Sequence, residues 1–478
     1  MDSQSINSLK KTKIVSTLGP ATNSEEQIRH LAQHGMDVAR LNFSHGTHDE
    51  HQNRNDWVRK VAKELDKPIA VMQDLQGPRI RLGALADEPQ MLEKGQKVIL
   101  WFSKEQTDDR IPVSFDMFPH LKEGDRVLIK DGLIRLSVEK THHDSCECIV
   151  RVGGDIGSRK GINLPDTKLP PVSFTEKDAE DLVFGLKNKV DYVALSFVQD
   201  EDDIHNLRAE IAKHAHHPKI VAKIECQEAI RNLKSIIEAT DVVMVARGDM
   251  ATEVGQEDVP IIQREIIRLC RATHTPVIVA TQMLESMVKN PVPTRAEVND
   301  IASAVMDHVD ACMLSGETAN GDYPIEAIST MERIIKRVER HHRETLTDFA
   351  LTTLEESGEQ TTAIAAATTI LAHQLKAKLI VVATSTGKTA QRIASYRPPV
   401  TVAAVTDNEL TYNQLAMVYG VKSFFVDKMS KNEAGLDTII DHIQEKGYVE
   451  AGDKVVHVTG EKPGEMGGTS IIKVETIK

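Results

Sequence analysis

The sequence predicts an α/β chain in three parts: a closed (β/α)8 barrel of the TIM type, a small β-barrel lid domain inserted into it, and a C-terminal α/β domain with a mostly parallel sheet. Three observations carry that prediction. Eight short apolar runs alternate with amphipathic segments, three before residue 77 and five after residue 175, which is the strand count of a closed barrel. Between the two groups, helical periodicity gives way to short β-type runs. Beyond a polar bridge, Glu355–Gln360, a new alternation of strands and helices starts. The expected domains are residues 1–76 with 172–345 for the barrel, 77–171 for the lid and 346–478 for the last unit. An open doubly wound sheet is the alternative architecture for the first.

The first three strands are read at Lys13–Leu18, Asp37–Phe43 and Ile69–Asp74, with helices near 24–35 and 48–65. Ser24 with Gln27 three residues on reads as a capping box. In the insertion, β-runs fall at Lys97–Phe102, Val127–Lys130, Leu133–Val138 and Cys146–Arg151, and Asp131-Gly132 signals a type I′ hairpin. Thr175 with Asp178 caps the next helix. Strands follow at Asp191–Phe197, Lys219–Glu225, Asp241–Arg247, Pro276–Thr281 and Asp310–Ser315, the last preceded by a helix capped by Thr294 and Glu297. A helical stretch over 324–354 leads to the third domain. There the reading is helix 361–376, strand 379–383, helix 388–396, strand 400–405, helix 410–419, strand 421–426, helix 431–446 and strands 454–458 and 470–476.

Composition narrows the function. Charged residues at 27% and aromatics at 4% of 478 residues describe an ordinary soluble globular chain, and a net charge of −13 argues against nucleic acid as a partner. Five cysteines with only Cys146 and Cys148 close together form neither a disulfide framework nor a zinc motif, so a reducing cytoplasm is expected. The start, Met1–Ser5, is polar, and no run approaches the ~20 apolar residues of a membrane helix, so no membrane association is expected.

The chemistry gathers where strands end. Lys223 and Glu225 close an apolar strand and, being two apart, face the same way; burying both is costly without partners or a task. An ion pair at a strand end would look the same, but the pattern repeats. Arg40, Asn42 and Ser44, then Asp74, Ser196, Arg247-Gly248-Asp249, Thr281, and Ser315 with Glu317 all stand at such ends. In a (β/α)8 barrel these ends form the catalytic face, and the insertion after the third strand rises from that face as a lid. Glu225 and Asp249 on neighbouring strands suit a hard cation such as Mg²⁺ or Mn²⁺. Arg40 and Lys223 supply the fixed positive charge that a phosphoryl group in transfer requires. A helix opening at Gly248 would offer free amides to a carboxylate or phosphate. Three other features weigh less. Ser385–Thr389 resembles the end of a P-loop, but Val382 stands where its first glycine belongs. The loop is still a sound anion site. His214, His216 and His217 read as a solvated helix end, and Cys146 with Cys148 as packing.

Taken together, these strand ends resemble pyruvate kinases. The motifs that carry the resemblance are Thr12–Thr22 (TKIVSTLGPAT), Arg40–Gly46 (RLNFSHG), Asp74–Arg81 (DLQGPRIR), Lys160–Pro165 (KGINLP), Val221–Glu225 (VAKIE), Met244–Asp249 (MVARGD), Ala280–Met287 (ATQMLESM), Pro293–Glu297 (PTRAE) and Met313–Ala319 (MLSGETA). The resemblance implies phosphoryl transfer from phosphoenolpyruvate to ADP, giving ATP and pyruvate, the last step of glycolysis. It makes Lys223 the group that stabilises the phosphoryl in transfer, Glu225 and Asp249 the Mg²⁺ ligands, and Arg40 a phosphate contact. Gly248, Asp249 and Thr281 would orient the substrate carboxylate, with Thr281 near the protonation site. Asn42, His45, Arg81 and Lys160 would face the nucleotide.

Asn42, Ser44, Asp74 and Leu75 match the family's potassium pocket. Two motifs depart from the family's common pattern: Arg247-Gly248-Asp249-Met250-Ala251 stands where Arg-Gly-Asp-Leu-Gly is usual, and Asp74-Leu75-Gln76-Gly77-Pro78-Arg79 where Asp-Thr-Lys-Gly-Pro-Glu is, so that Arg79 replaces a glutamate. A guanidinium there supplies permanently the charge that a bound cation otherwise provides, so K⁺ is not expected to be required. The loop Thr384-Ser385-Thr386-Gly387-Lys388-Thr389 matches one that holds an effector phosphate, with 462–468 as a partner loop, and the family implies a homotetramer. A Mg²⁺-dependent barrel lyase or aldolase, or a sugar-phosphate-responsive module without catalysis, are the other classes. The nucleotide-facing residues and the intact Lys223, Glu225, Asp249 and Thr281 count against them.

Overall fold

The computed structural model describes residues 10–130, 132–167, 174–345, 359–426, 440–441, 443–460 and 469–478. The chain opens with β1 (Lys13–Leu18), β2 (Val38–Asn42) and β3 (Ala70–Asp74). It then runs through eight short strands: β4 (Gln90–Leu92), β5 (Lys97–Phe102), β6 (Ile111–Val113), β7 (Arg126–Ile129), β8 (Ile134–Thr141), β9 (Ser145–Val152), β10 (Gly154–Ile156) and β11 (Ile162–Asn163). Five more follow with helices between them: β12 (Tyr192–Leu195), β13 (Lys219–Ile224), β14 (Val242–Ala246), β15 (Val277–Ala280) and β16 (Ala311–Leu314). Strands β1 to β3 and β12 to β16 close into one parallel barrel, in the order β1-β16-β15-β14-β13-β12-β3-β2. The open sheet is thereby excluded.

Inward side chains such as Val15, Met72, Val221, Met244 and Met313 fill the barrel, and outward ones such as Ile14, Val71, Val243 and Val279 pack beneath the helices. Both faces of each strand are covered, which is why the strands read as continuous apolar runs.

Between β3 and β12 lies the lid, a six-stranded sheet in the order β11-β7-β8-β9-β5-β6 beside the ribbon β10-β4. Leu92 and Ile156 of the ribbon join Leu100, Ile129 and Leu136 of the sheet in a single core. Strands β4, β6, β10 and β11 were not anticipated; at two or three residues they are too short to show a period. The expected hairpin forms between β7 and β8, but its connection spans 130–133, with Lys130 and Gly132 at φ +54° and +84°. It is longer than a two-residue turn. The caps at Thr175 and Thr294 are full capping boxes, whereas Ser24 accepts from the Gln27 amide and donates to Gln27 Oε1, both at 3.2 Å, without the return bond to its own amide.

The third domain holds β17 (Leu379–Ala383), β18 (Thr401–Thr406), β19 (Val421–Phe425), β20 (Lys454–Gly460) and β21 (Thr469–Thr476). They lie in the order β19-β18-β17-β20-β21, with only β21 antiparallel. The helix expected over 410–419 is a helix at Glu409–Gln414 followed by a 3-10 turn at Leu415–Met417. That turn pushes Ala416 and Met417 into the barrel's inner core. Tyr192 Oη donates to the Gln414 carbonyl at 2.6 Å, and Lys13 Nζ to the Val421 carbonyl at 2.7 Å, beside an Arg397–Asp310 ion pair. The third domain thus stops the amino-terminal end of the barrel and leaves the carboxyl ends of the strands to the lid.

Asp131, the bridge residues 355–358, the helical stretch 346–354, most of the expected helix 431–446 and the loop 462–468 lie outside the described residues. So does the junction expected at residues 171 and 172. No described helix is long and apolar enough to cross a membrane.

Candidate active site

Side chains alternate faces along a strand, so the inward residues of the barrel can be followed upward two at a time. Val38, Met72 and Val221 lie in the inner core, and the next residues on the same face are Arg40, Asp74 and Lys223. The barrel is therefore apolar at its middle and charged at its mouth. Lys223 Nζ donates to Ser196 Oγ at 2.6 Å and lies 3.0 Å from Glu225 Oε1 and 3.3 Å from Asp74 Oδ1. Asp74 Oδ2 accepts from Arg40 Nε at 2.7 Å, and Arg40 donates onward to Thr17 Oγ1 at 2.9 Å. Glu225 Oε2 accepts from the Phe197 amide at 2.8 Å.

All four charged groups are buried, so their partners decide which forms persist. Burial alone would discharge Lys223, but Asp74 and Glu225 beside it hold its pKa above the ordinary lysine range. Burial would likewise raise Asp74, yet Lys223 and Arg40 keep it below the ordinary carboxylate range. Glu225 is pushed up by burial, with Asp249 adding to the shift against the pull of Lys223. A buried carboxylate raised by a second carboxylate is a place that gains from a cation. Two hard oxygen donors suit Mg²⁺, which keeps water or substrate oxygens in its remaining positions.

A second group of residues shapes the wall between β14 and β15. Asp249 and Gly248 begin the helix Arg247–Val254, as expected, but the Gly248 amide donates to Thr281 Oγ1 at 2.9 Å and is engaged. Ala251 lies inside that helix, where alanine is unstrained. Thr281 and Gln282 adopt φ of +68° and +54°, a region that a β-branched residue occupies only under constraint. The constraint is Arg247. Its guanidinium donates to the Ala280 and Thr281 carbonyls at 3.2 and 2.6 Å and is clamped by Asp300 at 2.7 and 2.8 Å. Asp300 was missed because it sits within the helix Arg295–Met306, away from any strand end. Thr17 could have been found, since it continues the inward face of Val15.

Glu317 has no access to substrate. Its two carboxylate oxygens accept from the Leu284 and Ser315 amides at 2.9 and 2.7 Å. His216 is committed to the Val190 carbonyl, and Cys146 and Cys148 lie buried in the lid with their sulfurs 3.5 Å apart. Among the described residues, no group of three His, Cys, Asp or Glu is placed to hold a metal ion.

The comparisons with known proteins fall on this frame. Residues 9–328 match the family described as "Pyruvate kinase, barrel domain", and residues 362–475 match "Pyruvate kinase, alpha/beta domain". The chain is 40% identical to the pyruvate kinase of Clostridium acetobutylicum, over 98% of its own length and 100% of the relative's. It is 41% identical to that of Staphylococcus epidermidis, over 98% of its own length and 81% of the relative's. A crystal structure of a pyruvate kinase from Cryptosporidium parvum superposes with a TM-score of 0.91 at 34% identity, covering 99% of this chain and 97% of that one.

The chain belongs to the pyruvate kinase family.

Around the buried cluster of this pyruvate kinase stands a polar rim. Asn42 and Asp74 are register partners at the ends of β2 and β3, Asn42 Oδ1 accepts from the Ser44 amide at 3.1 Å, and the Leu75 carbonyl accepts from Ser196 Oγ at 2.7 Å. His45 is held below its ordinary range by burial first and then by Arg81, Arg40 and Arg79. Arg81 pairs in register with Gly161, so Lys160 sits beside it in sequence on the facing lid strand. Arg79 NH2 lies 3.3 Å from Asp249 Oδ1. Between the lid segment 162–167 and the loops after β12 and β13 is a cavity of about 410 Å³, lined in part by Arg79 and Phe197. Lys223, Glu225 and Asp249 do not line it; Phe197 and Arg79, which contact Glu225 and Asp249, do. On the third domain, Thr384 to Thr389 link β17 to the helix Lys388–Ser395, with Gly387 at φ +77° and its amide donating to Thr384 Oγ1.

The Arg247 clamp generates a prediction. Arg247→Lys keeps the charge but loses the planar fork that holds two carbonyls and Asp300 together. The expected result is a 10- to 100-fold fall in kcat, on the order of what a misplacement near 1 Å costs, with far-UV circular dichroism unchanged. A variant with the parent's kcat would show that the clamp does not position Thr281.

Proposed function

We propose that this enzyme transfers the phosphoryl group of phosphoenolpyruvate to ADP, with Lys223 stabilising the phosphoryl group in transfer. One observation carries the reading. The Lys223 ammonium is kept charged at the mouth of an apolar barrel, with the Arg40 guanidinium sharing Asp74 with it. Such preorganised positive charge acts where charge spreads over phosphoryl oxygens. Glu225 and Asp249 would hold Mg²⁺ or Mn²⁺, which when bound supplies a Lewis acid for phosphoryl and enolate oxygens. Arg40 fixes the substrate phosphate, and Gly248, Asp249 and Thr281 orient its carboxylate. Asn42, His45, Arg81 and Lys160 face the nucleotide across the lid cleft, where the arginines around His45 favour polyphosphate.

Two regulatory readings accompany this one. Arg79 supplies positive charge beside Asp249, which supports a site that works without K⁺ although Asn42, Ser44, Asp74 and Leu75 retain the pocket's polar groups. The loop Thr384-Ser385-Thr386-Gly387-Lys388-Thr389, at a helix start with an exposed Lys388, is the seat of a phosphorylated effector. The outer strand β21, with Ile471 and Val474 exposed, offers a surface for assembly into the expected homotetramer.

Lys223→Met is expected to lower the rate of pyruvate formation by on the order of 10² or more with the fold intact, as for loss of a preorganised electrostatic group. A rate within about tenfold of the parent, ~1.4 kcal/mol, is too small for that role and would exclude it. The Mg²⁺-activated rate is expected to be similar in K⁺ and in tetramethylammonium at equal ionic strength. Stimulation by K⁺ well above roughly tenfold would contradict the reading of Arg79. For the effector, sugar phosphates and nucleoside monophosphates are screened for activation, and Lys388→Ala with Thr389→Ala is expected to abolish it. Activation that survives both substitutions places the site elsewhere.

A further inference from the structure

We propose that Arg79 is a placeholder for the divalent cation: it neutralises Asp249 while the site is metal-free, and its release on cation binding is felt by the lid at Gly161. The inference rests on the reading of Glu225 and Asp249 as the metal ligands. Arg79 NH2 reaches Asp249 Oδ1 at 3.3 Å, on a carboxylate that would take the cation. Arg79 therefore supplies beside Asp249 some of the positive charge that a divalent cation would otherwise supply. A divalent cation on the same carboxylate would repel the guanidinium, so each weakens the other's hold on Asp249. The two therefore compete.

The other side of the guanidinium meets the lid. A Cβ at Gly161 would fall 3.0 Å from Arg79 Nε and 3.2 Å from NH2, so the lid backbone lies directly against the guanidinium. The same strand segment is stitched to the chain around Arg79, with the Ile162 amide donating to the Ile80 carbonyl and the Leu82 amide to the Lys160 carbonyl, both at 2.9 Å. Two residues before Arg79 the chain is anchored to the barrel. Gly77, at φ +66°, donates its amide to Asp178 Oδ1 at 3.1 Å, and a Cβ there would meet Ser196 Cβ at 2.9 Å. Arg79 thus stands just past a fixed pivot, with a metal ligand on one side and a lid strand on the other. Displacing the guanidinium from Asp249 changes what Gly161 packs against.

The test uses Mn²⁺ and the full chain with no substrate present. Free Mn²⁺ is measured by electron paramagnetic resonance, and amide hydrogen exchange is followed in peptides covering residues 78–84 and 159–165. Arg79→Met is expected to bind Mn²⁺ about fivefold tighter than the parent, the change expected on losing one partly exposed ion pair. Arg79→Lys, with a shorter reach and no fork, is expected to fall between them and serves if the methionine variant does not fold. Mn²⁺ is expected to alter exchange of the two peptides in the parent and to leave them unaltered in Arg79→Met. Affinity unchanged or weakened in both variants overturns the proposal. So does tighter binding with the metal-linked exchange retained, which a simple field effect would give. Glu225→Gln separates the two readings: loss of Mn²⁺ binding there upholds the metal site whatever Arg79 does, and parent-like binding overturns the metal site and this proposal together.

Discussion

Burying Lys223 is the constraint on which the catalytic face depends. An ammonium withdrawn from water is destabilising by several kcal/mol unless its partners are held in place. Its partners come from separate strands: Asp74 ends β3, Ser196 follows β12 and Glu225 follows β13. Arg40 on β2 ties the same aspartate to Thr17 on β1. No shorter piece of the chain assembles this set, so closure of the barrel and ionisation of the site are a single condition. Removing one partner leaves another charge buried and unmatched, which explains why neither end of the network reaches far into solvent.

The two ends of the barrel are treated in opposite ways. At the base, Ala416 and Met417 complete the apolar interior, and the third domain satisfies the polar atoms around them. That end is closed by packing. At the mouth the strands carry charge, and the neighbouring loops store strain: Thr281 and Gln282 remain left-handed because Arg247 and Asp300 over-determine them. Strain of this kind persists only where the surroundings are rigid. The well-packed base and helical shell supply that rigidity.

The sequence made the barrel legible because eight buried parallel strands leave apolar runs of the right length, and each run ends where the chemistry begins. Lys223, Glu225, Arg40, Asp74 and Asp249 were readable for the same reason: a charge closing such a run breaks its pattern. Contacts between distant segments left no such mark. Asp300 lies in the middle of a helix and is indistinguishable there from a solvated acid. Glu317 stood at a strand end yet serves two backbone amides, a role fixed only when the loops after β15 and β16 meet. The lid strands β4, β6, β10 and β11 are too short to show a period and exist only as partners of longer ones.

Arg79 shows the same limit at the level of charge. From sequence it stands beside Asp74 and Leu75, and its influence is naturally assigned to the polar pocket they form with Asn42 and Ser44. In the structure Asp74 is held by Arg40 and Lys223, and the Arg79 guanidinium reaches Asp249 on the far wall. Among the described residues, Arg40, Lys223 and Arg79 stand among the carboxylates Asp74, Glu225 and Asp249. A glutamate at position 79 would put a further negative charge beside Asp249, an excess that draws in cations. An arginine removes that excess before any ion arrives, and because its other face meets Gly161, the same group that balances the mouth also bears on the lid.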